Sequence, residues 1–176
     1  MAKTPTAEEM LATRIARRGD LKPYPESFID TVIPRYERDL YSIIGKSVFE
    51  DPEMQPAIKV EHPFSVSIIK VDPGKGAGLH AHNTEEVFIP INGKLAVFWG
   101  DEAENEVVLG PMDTVTVPIH VMRGFRNADD KTIEVIAIVG GDGGGRLTWH
   151  EELIEEAKAH GGHLDETGFI EPKEKV

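Results

Sequence analysis

An all-β sandwich or barrel is the fold class that this 176-residue sequence predicts. Three observations predict it. Short apolar runs with period-two alternation recur over residues 57–140, each bounded by Gly, Pro, Asn or Asp. Seventeen glycines and twelve prolines supply the turns that many short strands need, while 40% hydrophobic residues still provide a core. Helical patterning is confined to two short stretches near the ends of the sequence.

Thr6 followed by Glu9 reads as a capping box. Met10, Leu11, Ile15 and Ala16 follow at near-helical spacing, Arg17 and Arg18 suit a helix C-terminus, and Gly19 suits a stop. A helix over residues 7–18 is therefore expected. LKPYPES is a loop, since two prolines two apart prevent regular hydrogen bonding. Residues 28–49 are apolar without a clean period and read as an arm that packs on the barrel or on a second subunit. A turn covers residues 51–56. The β region is expected to begin near Ala57. Phe64, Val66 and Ile68 alternate with Ser65, Ser67 and Ile69, as in a half-buried strand. After the loop PGKGAG come the strands LHAHN and EVFIPI, then the hairpin turn Asn92-Gly93 and its return strand KLAVFWG. VVLG, DTVTVP, RGFRN and TIEVIAIVG complete the set, the last apolar enough to be buried on both faces. GGDGGGR is a flexible break. Thr148 and Glu151 form a second capping box before the helix HEELIEEAKAH, which ends at Gly161-Gly162. The division expected is an arm at 1–56, a barrel at 57–140, and a break, helix and tail at 141–176.

The segment GKGAGLHAHNTEEVFIPING, residues 74–93, carries the chemistry. His80 and His82 are two apart, so on one strand they share a face and can reach one ion. Glu86 has the same parity, and a turn at Asn83-Thr84 would return it towards them. Two imidazoles and a carboxylate suit a divalent transition metal and leave positions open for substrate. The plainer reading is a pair of exposed strand histidines beside a surface acid.

These residues also fill a family pattern. Gly-x5-His-x-His-x3-Glu-x6-Gly is the first motif of the cupins, and Gly74, His80, His82, Glu86 and Gly93 match it without insertion. The resemblance covers residues 57–140 and implies a jelly-roll barrel with the site inside. The second cupin motif, Gly-x5-Pro-x-Gly-x2-His-x3-Asn, is matched by MDTVTVPIHVMRGFRN only in part. Pro118 and Asn127 are in register, but Met112 and His120 replace its two glycines. Arg123 replaces the histidine that in cupins supplies a fourth ligand.

An arginine stays protonated and cannot ligate a metal. Either His80, His82 and Glu86 hold the metal while Arg123 clamps a substrate carboxylate or phosphate, or the metal is gone and Arg123 pairs with Glu86. The first reading is preferred, because a barrel that had lost its metal would have little need of all three ligands. His120 as a displaced ligand is disfavoured by its parity against a surface loop histidine. Phe88 and Phe125 share parity with Glu86 and Arg123 and could wall a substrate, as could Trp99. Ordinary barrel core explains them equally well.

Net charge is −12, which disfavours nucleic acid and anionic membranes but leaves an anionic small substrate open. There is no cysteine, hence no disulfide or thiolate site. No signal peptide or membrane span is legible, so a cytoplasmic protein is expected. The expected function is a metal-dependent enzyme on a small organic acid, with an iron(II) dioxygenase favoured and manganese, nickel or zinc as alternative metals. A binding or sensor barrel without turnover, with or without metal, is the second class. An isomerase or lyase is the third. The resemblance further implies a homodimer.

Overall fold

A computed structural model describes residues 4–46, 48–141 and 146–171. The Gly-rich break at 142–145 and the end of the tail at 172–176 lie outside the described residues. Among the described residues there are ten strands: β1 (Asp39–Ile44), β2 (Phe64–Val71), β3 (Gly76–His82), β4 (Glu86–Pro90), β5 (Leu95–Trp99), β6 (Asn105–Leu109), β7 (Val115–Val117), β8 (Arg123–Asn127), β9 (Ile133–Gly140) and β10 (Leu147–Trp149). They form two antiparallel five-stranded sheets, ordered β1-β2-β9-β4-β7 and β10-β3-β8-β5-β6. The sheets close into a jelly roll, flanked by α1 (Ala7–Thr13) and α2 (Glu151–Ala159). Phe88, Val71, Leu95, Val97, Ile133 and Val135 are fully buried and form the core.

The strands begin earlier than the alternation pattern indicates. β1 pairs with β2 from Asp39↔Lys70 to Ile44↔Val66, so the arm packs on the barrel and adds a strand to it. Its pattern is irregular because two 3-10 turns, Ile29–Val32 and Pro34–Tyr36, precede the strand and bury Ile29 and Ile33. β3 likewise starts inside the expected PGKGAG loop.

α1 has the expected capping box. Thr6 Oγ1 accepts the Glu9 N–H at 3.1 Å, and the Glu9 carboxylate accepts the Thr6 N–H at 2.7 Å. The helix nevertheless ends at Thr13 rather than residue 18. It buries no residue, and Leu11 and Ile15 stay exposed. Without tertiary packing, propensity alone does not extend a helix this short. The second capping box does not form: Thr148 is taken by β10, where it pairs with Ala81, and α2 starts from His150 with no side-chain cap. α2 ends as expected, with Gly161 at φ +80 and the Gly162 N–H on the Ala157 carbonyl at 2.8 Å.

Two strand faces differ from their sequence pattern. β2 turns Ser65, Ser67, Ile69 and Val71 inward and leaves Phe64, Val66 and Ile68 half-buried on the outside. The register with β9, Ser67↔Ala137 and Val71↔Ile133, decides this and places small residues near the site. β9 is buried on one face only; Glu134, Ile136 and Ile138 face the half-buried outer side.

Candidate metal centre

β3 and β4 meet at the turn after His82, and the site lies between the two sheets. His80, His82 and Glu86 are 5%, 2% and 6% exposed, so the reading of them as surface residues fails. One donor atom from each lies within 4.8 Å of the others. Glu86 Oε2 is 3.3 Å from His82 Nε2 and 4.0 Å from His80 Nε2. Donor atoms about 2.0–2.2 Å from a common ion sit at comparable mutual separations.

The ring orientations fit the same purpose. His80 Nδ1 is 2.8 Å from the Gly78 carbonyl, which can only accept, so Nδ1 carries the proton and Nε2 presents a lone pair. Burial, with the nearby His82, drives the His80 pKa down to about 3, leaving a neutral imidazole at pH 7. Both ring nitrogens of His82 are buried without a hydrogen-bond partner, the condition an ion would relieve. For Glu86, burial pushes the pKa up, but His82, His80 and Arg123 together outweigh it and bring the carboxyl down to about 2. The residues present therefore fit a divalent cation.

Arg123 is fully buried on β8, opposite His80 and Trp99 in register. Its Nε donates to Glu86 Oε2 at 3.2 Å and its Nη1 to the Val121 carbonyl at 3.0 Å. Its Nη2 is buried without a partner. The guanidinium thus shares with the histidines the oxygen that a metal would use.

The two departures from glycine in the second motif keep a glycine-like backbone. Met112 and His120 have φ of +67 and +61, the left-handed region where L side chains are disfavoured. His120 is exposed and meets the site through its backbone, whose N–H donates to the His82 carbonyl at 2.8 Å. It does not belong to the ligand cluster.

A cavity of about 30 Å³ adjoins His80, His82 and Glu86, with Arg38, Ser67, Phe49 and Phe125 in its lining. Phe88 is fully buried and packs edge-to-face on Phe125 at 5.2 Å. Trp99 is half-exposed and does not line this cavity. Trp149 was not legible as a site residue in the sequence; its ring lies 5.1 Å from that of His80 and its Nε1 donates to Glu50 Oε1 at 2.6 Å. Nor were Glu50, Asp30 and Arg38, all buried. No spacing signal marks them, because they reach the site from the arm and from a three-residue strand.

A family model described as "Cupin domain" matches residues 67–139, the stretch that contributes His80, His82, Glu86 and Arg123. Over these residues the chain is a cupin domain. Solved structures carry the same fold at low identity. An oxalate decarboxylase from Lactobacillus farciminis in complex with formate aligns at 16% identity and TM-score 0.55, over 78% of this cupin and 36% of that chain. KdgF from a Halomonas species aligns at 12% and 0.50, over 70% and 92%. A structure from work on the DMSP lyases RdDddP and RnDddQII aligns at 17% and 0.50, over 64% of this cupin and 52% of that chain, so the match spans about half the latter's length. No curated protein matches this sequence. Among the described residues, no helix is long and apolar enough to cross a membrane.

Proposed function

We propose that this cupin is a metal-dependent enzyme acting on a small organic acid, with iron(II) the favoured ion and oxygenase chemistry the favoured reaction. One observation carries the reading: three buried donors converge within 4.8 Å, and among the described residues neither nitrogen of His82 has a hydrogen-bond partner. Bound there, a divalent ion would supply Lewis acidity and, if iron, one-electron redox chemistry towards O2. His80, His82 and Glu86 would hold it on one side. The adjoining cavity of about 30 Å³ favours a compact substrate. Arg123 supplies positive charge beside it, and its unpartnered Nη2 is suited to a carboxylate oxygen. Phe125 would form an apolar wall. The oxalate decarboxylase among the fold neighbours is named for a small organic acid.

The test is metal analysis of protein purified without chelator, followed by oxygen uptake of the iron-loaded protein over hydroxy- and keto-acids. Stoichiometric metal with acid-dependent oxygen uptake is expected. Absence of iron, manganese, nickel and zinc, even after reconstitution, rejects the reading. Metal without oxygen uptake, but with turnover of an acid, moves it to the isomerase or lyase class.

A second reading, a metal-free binding barrel, is favoured by the Arg123–Glu86 contact of 3.2 Å. Arg123→Met separates the two. Removing a cation that close to a ligand oxygen weakens repulsion of the ion, so metal affinity is expected to rise by about tenfold or more. Metal found only in the variant would favour the second reading.

A further inference from the structure

His80 owes its inward position to an irregularity in β3. Against β8, Ala77 opposes Phe125 and His80 opposes Arg123, so three steps on β3 match two on β8. Such a bulge frees backbone groups from the ladder and re-aims the next side chain. Here the freed groups belong to Gly78. Its N–H donates to Asp30 Oδ2 at 3.1 Å, and its carbonyl accepts from His80 Nδ1 at 2.8 Å. A Cβ there would lie 2.0 Å from Leu153 Cδ1 and 3.1 Å from the Tyr36 ring, so a larger residue would displace those side chains.

Asp30 is itself held. Arg38 Nη1 donates to Asp30 Oδ2 at 2.9 Å, to the Gly76 carbonyl at 3.1 Å and to the Tyr36 carbonyl at 2.8 Å. Asp30 and Arg38 are 0% and 7% exposed. The pair therefore grips β3 at two backbone groups, one on each side of Ala77. A second limb from the same arm reaches the imidazole through Trp149. Glu50 accepts from Trp149, whose ring is tilted by 52° against that of His80, and from the N–H of Ile29, the residue before Asp30, at 2.6 Å. A buried ion pair contributes little net stability against an apolar replacement. Its value here is geometric.

We propose that the buried Asp30–Arg38 pair is a positioning device for His80: it clamps the β3 bulge at Gly76 and Gly78, and so fixes the ring orientation and tautomer with which His80 faces Glu86. The consequence for metal affinity rests on the metal reading above; the consequence for the tautomer does not. The N-terminal arm is then part of the site, although it contributes no ligand.

The test compares the wild type with Asp30→Ala/Arg38→Met, which removes both charges together and so leaves no unpaired ion. In the metal-free wild type, long-range nitrogen–proton NMR correlations are expected to show His80 as the Nδ1–H tautomer. The folded double variant, with an unchanged far-ultraviolet circular dichroism spectrum, is expected to populate the Nε2–H form and to bind zinc about 10–100-fold more weakly in competition with a chromophoric chelator. A core change away from β3, Ile133→Val, should alter neither readout. An Nε2–H His80 in the wild type overturns the proposal. So does a folded double variant with the wild-type tautomer and zinc affinity within about threefold of wild type. Wild-type protein that binds no zinc counts against the metal reading, and the tautomer then decides the positioning role alone. Should the double variant not fold, the wild type still decides: a scalar coupling across the hydrogen bond from the Gly78 nitrogen to the Asp30 carboxylate carbon is expected, and its absence overturns the proposal.

Discussion

Glu86→Gln is expected to abolish metal binding and to destabilise the metal-free fold by about 3–5 kcal/mol. The first effect follows from the donor set, since Glu86 Oε2 is the atom both histidines approach. The second follows from Arg123. That residue is fully buried, and Glu86 is its only charged partner within salt-bridge distance among the described residues. Burial pushes the guanidinium pKa down and Glu86 pushes it back up, but an arginine does not give up its proton at ordinary pH. Removing the carboxylate therefore strands a charge in the interior. Urea denaturation of chelator-treated protein measures the loss. The double variant Glu86→Gln/Arg123→Met is expected to recover most of it, because the stranded charge is gone. A loss under about 1 kcal/mol would show that the pair is solvated in solution, as surface pairs are.

A large pH effect is expected at Glu50. Burial, partly offset by hydrogen bonds from Trp149 and Ile29, raises its pKa from 4.5 to about 7. A raised native pKa stabilises the fold fully below the unfolded value, and that contribution is lost as pH climbs from 4.5 through 7. The amount is about 3 kcal/mol, from 1.36 kcal/mol per pKa unit. His80 and Glu86 act in the opposite sense. Their native pKa values of about 3 and 2 lie below their ordinary ones, so they withdraw stability as pH falls. The contrast between the wild type and Glu50→Gln isolates Glu50. Unfolding free energies at pH 5 and pH 8 should show the variant gaining about 2.5 kcal/mol relative to the wild type across that interval. No change in their difference would mean that Glu50 is ionised in the folded protein throughout.

The barrel was legible because period-two alternation and turn residues are local signals. His80, His82 and Glu86 were legible for a related reason: a His-x-His pair and an acid of like parity across a short turn need only strand geometry to converge. The errors arose where long-range packing overrode local preference. The helix pattern of residues 7–18 was not sustained beyond Thr13 because nothing buries α1. Thr148 could have capped a helix, but pairing with Ala81 claimed it for a strand. The apolar side of β2 faces outward because its register with β9 sends Ser65 and Ser67 inward.

Arg123 marks the boundary between the two kinds of information. Its position in the second motif raised both a clamp on substrate and a partner for Glu86. The 3.2 Å contact with Glu86, and the unpartnered Nη2, come only from the assembled sheets. The sequence by itself determined the all-β class, the His80–His82–Glu86 triad and the arginine where the cupin pattern has its fourth-ligand histidine, since each depends on residue type and local spacing. Only the tertiary structure decided what surrounds that triad. Asp30, Arg38, Glu50 and Trp149 come from segments far apart in the chain, and the closure of two sheets brings them to one histidine. The physical reason is range. Side-chain parity is a property of one strand, whereas the environment of a buried charge is set by every element packed against it.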